Sequence, residues 1–511
     1  MIFQIRLVVV LFTLITSSVE AANILGLFLT HSPSHVIIHM SVIRALVERG
    51  HNVTLITATP LSETNPPYRH IFLKHQGVTS DRVNSIVNDQ KDVPVYLRSI
   101  KLFSLIKKVS EAFPDFTTDP AFINFINEDN HFDLLILGYI FNDFQLGVAA
   151  HFKCPVVLSM IVQPFGHISR LIGSPTHPAF VPLSPFIDSK PMDFAGRIQN
   201  FILSILECKN FPEDKYPSYS DMKENISLIL FNHHFSEGPV RPLVPGLVEM
   251  GGIQIKDKPD PLPEDIKEFL NNSPNGAIFF SLGSNVRSHH LGLNTSEIIF
   301  KVLSTLPYNV IWKYDQSEGP RNASNILFKK WLPQDDILSH KNIKLFITHA
   351  GKGSVTESEY HAVPMVALPV MGDQFMNAEI MASKGHGITL NYQTMTEESF
   401  RDAILNVIQN EQYKNTVQKF STLYRDRPLT ARENAVYWIE YVIRHRGAPH
   451  MQSPLKKMNI LQENSFDVIL CLVVIVYIVF KVIKLLGKLV IVMFAKLLWS
   501  IKEKKNKNKI E

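Results

Sequence analysis

In each half of this chain a short apolar run ends in a loop of small residues, passes into a helical stretch and returns as a second apolar run. That repeat limits the fold more than any other feature. The first copy is NILGLFLT at 23–30, the loop Ser32-Pro33-Ser34-His35, an apolar helical stretch reaching Arg49, the turn Gly50-His51-Asn52, and then VTLIT. Strand, helix and strand in that order form a βαβ unit, which predicts a parallel sheet. FDLLIL at 132–137, a helical segment at 146–152 and an apolar run at 155–160 extend it. Residues 251–265, GGIQIKDKPDPLPED, are dense in Gly, Pro and charge and mark a linker. Beyond it the alternation resumes, with strands at 277–281, 309–313, 343–348 and 365–369 and helices at 296–305 and 354–360. The pattern predicts an α/β protein of two facing Rossmann-like domains, 23–252 and 276–450, joined by residues 253–275. At 511 residues the chain is long enough for both.

The two ends point to a compartment. Residues 1–22 carry one early Arg6, an apolar run at 7–15 and small residues near Val19 and Ala21, the order of a cleavable signal peptide. A first core strand is the alternative, but NILGLFLT fills that role better. Near the other end VILCLVVIVYIVF at 468–480 is uncharged. The stretch 466–486 reaches the roughly 20 residues that cross a bilayer, with Lys481 and Lys484 snorkelling. Residues 481–511 hold nine Lys against two Glu, a charge of +7, so a formal net charge of +4 leaves −3 for the rest. A signal and one late span predict a single-pass type I protein with a lumenal body and a basic cytosolic tail at 487–511. Lys507 and Lys509 resemble the dilysine retrieval signal of endoplasmic-reticulum membrane proteins, with a merely solvated basic end as the alternative. Sequons at Asn225, Asn294 and Asn322 suit a lumenal body, whereas Asn52 is expected in a buried strand and Asn271 lies just before Ser273-Pro274.

The body shows no basic stripe interleaved with aromatics, which removes nucleic acid as a partner. Three cysteines, Cys154, Cys208 and Cys471, exclude a disulfide framework and a Cys-x-x-Cys zinc or redox pair, leaving one conceivable Cys154–Cys208 bridge.

The most informative stretch is 331–377, WLPQDDILSHKNIKLFITHAGKGSVTESEYHAVPMVALPVMGDQFMN. It resembles the UDP-glycosyltransferase signature over its whole length, through Trp331, Gln334, His349, Gly351, Ser354, Glu357, Pro364, Pro369, Asp373 and Gln374. Elementary chemistry points the same way. Residues 349–354 lie between a strand and a helix, where the small Gly351 and Gly353 let backbone N–H groups approach a diphosphate and the helix dipole attracts it. Glu357, one turn on, can accept hydrogen bonds from ribose hydroxyls; Trp331 offers a flat face for uracil and Gln334 an amide edge. Asp373 and Gln374 would hold sugar hydroxyls. Singly, each has a plain reading as core tryptophan, turn glycine or solvated acid, but the joint spacing argues against coincidence. Ser281-Leu282-Gly283-Ser284 resembles the first loop of the family's C-terminal domain, which sets Ser284 near the donor, an ordinary strand-exit turn being the alternative. Ala350 stands where the family usually has Gly, a change a small residue tolerates unless φ is positive there.

In the first half the resemblance places the family's catalytic histidine on His35, because Ser34-His35 is followed at the family distance by LVERGHNVT at 46–54. A histidine on a strand-to-helix loop facing a cleft can act as general base. His31, His39 and His51 compete with it, His51 reading more readily as part of a turn. The family orients this histidine with a carboxylate shortly after the FD-containing strand, yet the aligned residue is Gly138. Asp143 is the nearest acid beyond and the candidate substitute, with a helix-capping role as the alternative. The stretches 432–442 and 444–450 resemble the family's last lumenal helix and the approach to its membrane span.

The resemblance implies a GT-B fold and an inverting transfer of a hexose, glucose by preference over glucuronate, from a UDP-sugar co-substrate to a small lipophilic acceptor at the endoplasmic-reticulum membrane. It implies neither a cofactor nor a metal, and no Asp-x-Asp motif occurs. Oligomeric state is left open, a homo-oligomer included. Two rivals stand beside this reading: a catalytically silent UDP-sugar or lipophile binder, supported by Gly138, and a structural membrane protein, which leaves 331–377 unexplained.

Overall fold

The computed structural model describes residues 21–30, 32–61, 65–74, 116–139, 142–164, 166–175, 194, 197, 219–238, 240–284, 293–314, 323–370 and 373–507. The signal-peptide run, His31, Cys208, Asn322 and the last four residues lie outside them, as do the side chains of Asp143 and Asn294.

The first lobe is built on β1 (Asn23–Phe28), β2 (Asn52–Thr57), β3 (Arg69–Phe72), β4 (Leu134–Gly138), β5 (Val156–Met160), β6 (Ile226–Phe231) and β7 (Leu247–Glu249). They pair in the order β3-β2-β1-β4-β5-β6-β7, every pair parallel. Helices α1 (Pro33–Glu48) and α2 (Leu146–Phe152) follow β1 and β4. β4, β5 and β6 are buried along their whole length, which is why they read as unbroken apolar runs rather than alternating ones. Pro33 opens α1, where a missing N–H costs nothing, and Gly50 at φ +99° leads the chain out.

After the linker comes α3 (Glu264–Asn271). The second sheet then forms from β8 (Ala277–Ser281), β9 (Asn309–Lys313), β10 (Ile326–Lys329), β11 (Ile343–Thr348), β12 (Met365–Ala367) and β13 (Gly387–Thr389), in the order β10-β9-β8-β11-β12-β13, again all parallel. Helices α4 (Gln334–Leu338), α5 (Lys352–Tyr360) and α6 (Gln374–Ser383) surround its functional end. Both sheets are doubly wound, and such sheets bind ligands where the strand order reverses, here between β1 and β4 and between β8 and β11.

Three elements depart from the sequence reading. The stretch 253–275 is no bare linker, because Ile253 is buried in the first lobe while Ile266 and Leu270 of α3 belong to the second lobe's core. Helix α7 (Ala431–Arg444), expected with the second domain, packs instead on the first: Ala435, Ile439 and Val442 are fully buried among Ile43, Leu46, Leu228 and Leu230. Burying Ile439 and Val442 contributes about 1.5–3 kcal/mol each, enough to hold the crossover in place. Glu440 adds polar anchors to Arg49 Nε at 3.0 Å and His51 Nε2 at 3.4 Å, which fixes His51 in a structural role. Asn52, expected to be buried, is the exposed first residue of β2. Cys154 is a buried free thiol.

A separate unit begins after Ser453. Its main element, α8 (Phe466–Lys507), is 42 residues long, and its stretch Phe466–Lys502 is apolar enough to cross a membrane. The helix does not end at the expected 486 but runs on through most of the basic tail.

Candidate active site

His35 sits in the first turn of α1, just beyond the carboxyl end of β1. Its Nδ1 lies 3.3 Å from the Thr30 hydroxyl, which also accepts from the Ser32 amide at 3.3 Å. The Thr30 carbonyl accepts from Thr59 Oγ1 at 2.9 Å, so the orienting residue is itself held. Burial lowers the His35 pKa to about 4, keeping the imidazole neutral and able to accept a proton at neutral pH.

The missing carboxylate has a steric explanation. A Cβ on Gly138 would lie 2.9 Å from Phe28 Cδ1 and 3.1 Å from His39 Nε2. His39 is one helical turn beyond His35, buried, stacked on Phe28 at 4.9 Å between centroids and bonded through Nδ1 to Ser159 Oγ at 2.8 Å. His39 therefore fills the volume an acid at position 138 would need, and burial, with His35 beside it, lowers its pKa to about 3. Asp143 begins a short 3₁₀ turn, and Gln145 stands at the N-cap position of α2 without a side-chain cap bond; the side chain of Asp143 lies outside the described residues.

In the second lobe His349 leaves the end of β11 and its ring lies in a slot between two glycines. A Cβ on Gly283 would come within 2.6 Å of it and one on Gly351 within 2.5 Å. Gly283, at φ +78°, is in the loop after β8, so the β8 and β11 exits meet on this imidazole. Burial, then Lys313, lowers its pKa to about 4. Ala350 adopts φ +61°, the condition under which Ala is strained where Gly would not be, at about 1–2 kcal/mol. Its carbonyl accepts from Asn377 Nδ2 at 3.1 Å, part of what holds the loop.

Gly351 is the N-cap of α5 with no side-chain cap, so the first N–H groups of the helix have no partner within it, and Gly351 itself lies against His349. Ser354 and Glu357 lie on the same helix, and Gln334 Nε2 donates to both, at 3.1 Å to Ser354 Oγ and 2.7 Å to Glu357 Oε2. Burial, then Asp335, raises the Glu357 pKa to about 8. Trp331 is 62 % exposed, an open indole face with Lys313 Nζ 4.5 Å from its centroid. Lys313 also donates to the Gly283 carbonyl at 3.1 Å, and burial lowers its pKa to about 8. Ser284 follows at the half-buried end of the same loop. Asp373 accepts from Asn377 Nδ2 at 2.8 Å and burial raises its pKa. Gln374 spends its Oε1 on the Val370 amide, 2.8 Å, which makes it a brace of the loop as well as a candidate sugar contact.

Sequence reasoning missed the residues that connect the lobes. Glu237, after β6, is buried and pairs with Lys352 Nζ at 2.8 Å while accepting from Thr356 Oγ1 at 3.1 Å. Burial alone would raise its pKa, but Lys352 and His233 hold it down to about 2. Lys256 of the linker bonds Asp336 through Nζ and Asp335 through its amide, anchoring the helix that carries Gln334. Gln254 is 7 % exposed and lies near Glu357 and Gly353. Its side-chain amide reaches the Glu357 carboxyl, where with Gln334 it works against the upward push of burial on that group's pKa. None of these contacts is local in sequence, and no spacing rule could have marked them.

Two doubly wound lobes, one presenting a histidine at its switch point and the other a glycine-lined loop and helix start at its own, define a glycosyltransferase of the GT-B class. A family model described as UDP-glucoronosyl and UDP-glucosyl transferase matches residues 26–505, and the chain belongs to that family. It is 30% identical over 491 residues to UDP-glucosyltransferase 2 of Dactylopius coccus, covering 92% of this chain and 93% of that one. It is likewise 30% identical over 476 residues to mouse (Mus musculus) UDP-glucuronosyltransferase 1A1, covering 88% of each. Among solved structures, a UDP-glucosyltransferase from Polygonum tinctorium, in complex with 3,4-dichloroaniline, superposes with a TM-score of 0.52 at 15% identity over 83% of this chain and 99% of that one. The activity is accordingly that of a UDP-glycosyltransferase.

Proposed function

We propose that this enzyme transfers a hexose, glucose in the first instance, from a UDP-sugar to the hydroxyl of a small lipophilic acceptor, with inversion and without a metal ion. The observation that carries the reading is the pairing of His35 at the first switch point with the His349–Glu357 loop at the second, bridged by Glu237 and Lys352. His35 Nε2 takes the acceptor proton and the freed oxygen attacks the anomeric carbon. The bond from that carbon to the phosphate oxygen breaks, and UDP leaves with the electron pair. The α5 N–H groups, with Lys352 and Lys313 nearby, stabilise the charge that develops on the diphosphate. Trp331 stacks uracil, Gln334 and Glu357 hold the nucleoside, and Asp373 and Gln374 the sugar. The glucosyltransferase relative of Dactylopius coccus supports glucose. The apolar α8 supports a membrane anchor that would bring the body close to lipophilic acceptors.

Thr30 refines the acceptor. With Thr30 as the acceptor of His35 Nδ1–H, Nε2 is left unprotonated, but a hydroxyl, which can donate as well as accept, stabilises the imidazolium far less than a carboxylate would. Acceptors whose O–H is already acidic therefore suit this site, phenols ahead of alkanols. The test is UDP release by membranes carrying the protein, with UDP-glucose and UDP-glucuronate against a series of phenols and lipophilic alcohols. Turnover of phenols with UDP-glucose is expected. UDP binding with no turnover of any acceptor would favour a silent binder, the reading that Gly138 supports.

Donor binding should also depend on pH through Glu357. Below its pKa of about 8 the carboxyl is mostly protonated, whereas two ribose hydroxyls are best met by the carboxylate. Binding then expels a proton, so UDP affinity rises from pH 6 towards 8, by up to about tenfold per pH unit, and levels off above. Calorimetric titration of wild type against Glu357→Gln cancels the titration of UDP itself. A wild-type profile parallel to that of the variant would remove Glu357 from the ribose.

A further inference from the structure

We propose that the second half of α8 is not part of a span but an in-plane amphipathic helix that binds the anionic surface of a bilayer. Length makes the first argument. Forty-two residues of helix extend about 63 Å, twice the roughly 30 Å hydrocarbon core, which residues 466–486 fill on their own. The turns beyond residue 486 are too apolar to stand in water: Leu489, Val490, Ile491, Met493, Phe494, Leu497 and Leu498 are all exposed.

Charge arrangement makes the second. At about 100° per residue, Lys481, Lys484, Lys488, Lys496 and Lys502 fall within one arc of about 120°, while the rest of the circumference from 482 to 501 carries no charged residue. Between 468 and 480 no such division exists, because every residue is uncharged. The helix thus changes from uniformly apolar to two-faced. The change begins at Lys481, and Gly487 follows where the span is used up, with nothing packed against it. A glycine with nothing packed on it is the cheapest place for a helix to bend. Beyond that bend a wide apolar face can enter the lipid while the lysine arc meets the headgroups, with Trp499 at the centre of the arc at interfacial depth. Beyond Gly487 three of these lysines, Lys488, Lys496 and Lys502, lie on one face and select anionic headgroups over neutral ones.

The test uses the full chain reconstituted in vesicles containing brominated phosphatidylcholine, with and without phosphatidylserine. Quenching of Trp499 is read as the difference between wild type and Trp499→Phe. Stronger quenching is expected with phosphatidylserine. The gain should be weakened by salt and abolished by combined Lys488→Glu, Lys496→Glu and Lys502→Glu, with unchanged UDP binding showing that the body is folded. Equal quenching in both vesicles, unaffected by the reversals, would mean that the segment is simply membrane-buried and would overturn the proposal. So would the absence of quenching in either, the result expected if a second copy or another protein covers the apolar face.

Discussion

His35→Ala should lower kcat by about 10²–10⁴-fold while leaving the affinity for UDP within about twofold of wild type, since a positioned general base contributes in that range and the donor groups lie on the other lobe. The split arises from the two switch points. His35 belongs to β1 and α1, whereas His349, Ser354 and Glu357 belong to β11 and α5. Thr30 sharpens the expectation. Thr30→Val keeps the volume but leaves Nδ1 without its oxygen, so kcat should fall by about tenfold, the scale of one neutral hydrogen bond. Thr30→Ser should recover most of it. Because a hydroxyl cannot share the positive charge of the imidazolium, the wild-type rate should climb steeply as the acceptor O–H becomes more acidic. Thr30→Asp should raise the basicity of His35, flatten that dependence and shift the acid limb of the kcat–pH profile upward. Single-turnover assays over a phenol series decide the matter. Turnover of His35→Ala at the wild-type rate would end the mechanism, and a Thr30→Val enzyme with an unchanged pH profile would remove Thr30 from it.

How much of this was legible in the sequence depended on whether the determining contacts were local. Strands buried on both faces announce themselves as apolar runs, so β1, β2, β8, β9 and β11 could be placed within a residue or two. The edge strands β3, β7, β10 and β13 are only three or four residues long and partly exposed, and they carry no such signature. The donor loop was legible because its chemistry is compressed into one strand, one turn and one helix, and spacing along a helix already states which side chains share a face. By contrast, the histidine in place of an acid beside Gly138 rests on a packing contact 99 positions apart in the chain, Gly138 against His39. The Glu237–Lys352 bridge and the approach of Gln254 to Glu357 likewise require the folded arrangement of both lobes. Helix α7 shows the same limit on a larger scale. Its likeness to the family's last lumenal helix was visible, but the core that receives its apolar face is formed by residues some 200–400 positions earlier, and sequence order alone placed it with the second lobe.

The glycine slot around His349 yields the other large effect. Gly351 has φ −61° and ψ 144°, values any residue adopts, so Gly351→Ala introduces no backbone strain. Its new methyl would stand 2.5 Å from His349 Nε2, and the yielding partner is the imidazole, a side chain end rather than a backbone. The variant should therefore fold with a Tm within about 2 °C of wild type, yet lose UDP affinity by about 30–100-fold. Displacing the ring forfeits one hydrogen bond to a charged group, about 1.5–3 kcal/mol, and intrudes on the α5 N–H groups. Gly283→Ala meets the same ring from the other side but also forces a Cβ into φ +78°, adding about 1–2 kcal/mol of strain. It should lose comparable affinity and several degrees of Tm besides. Calorimetric binding of UDP with parallel thermal melts separates the two contributions. If Gly351→Ala binds UDP as tightly as wild type, the diphosphate does not lie against His349. The donor would then have to sit elsewhere along the cleft, nearer Lys352 and Glu237, and the interlobe bridge rather than the glycine slot would be the group to mutate next.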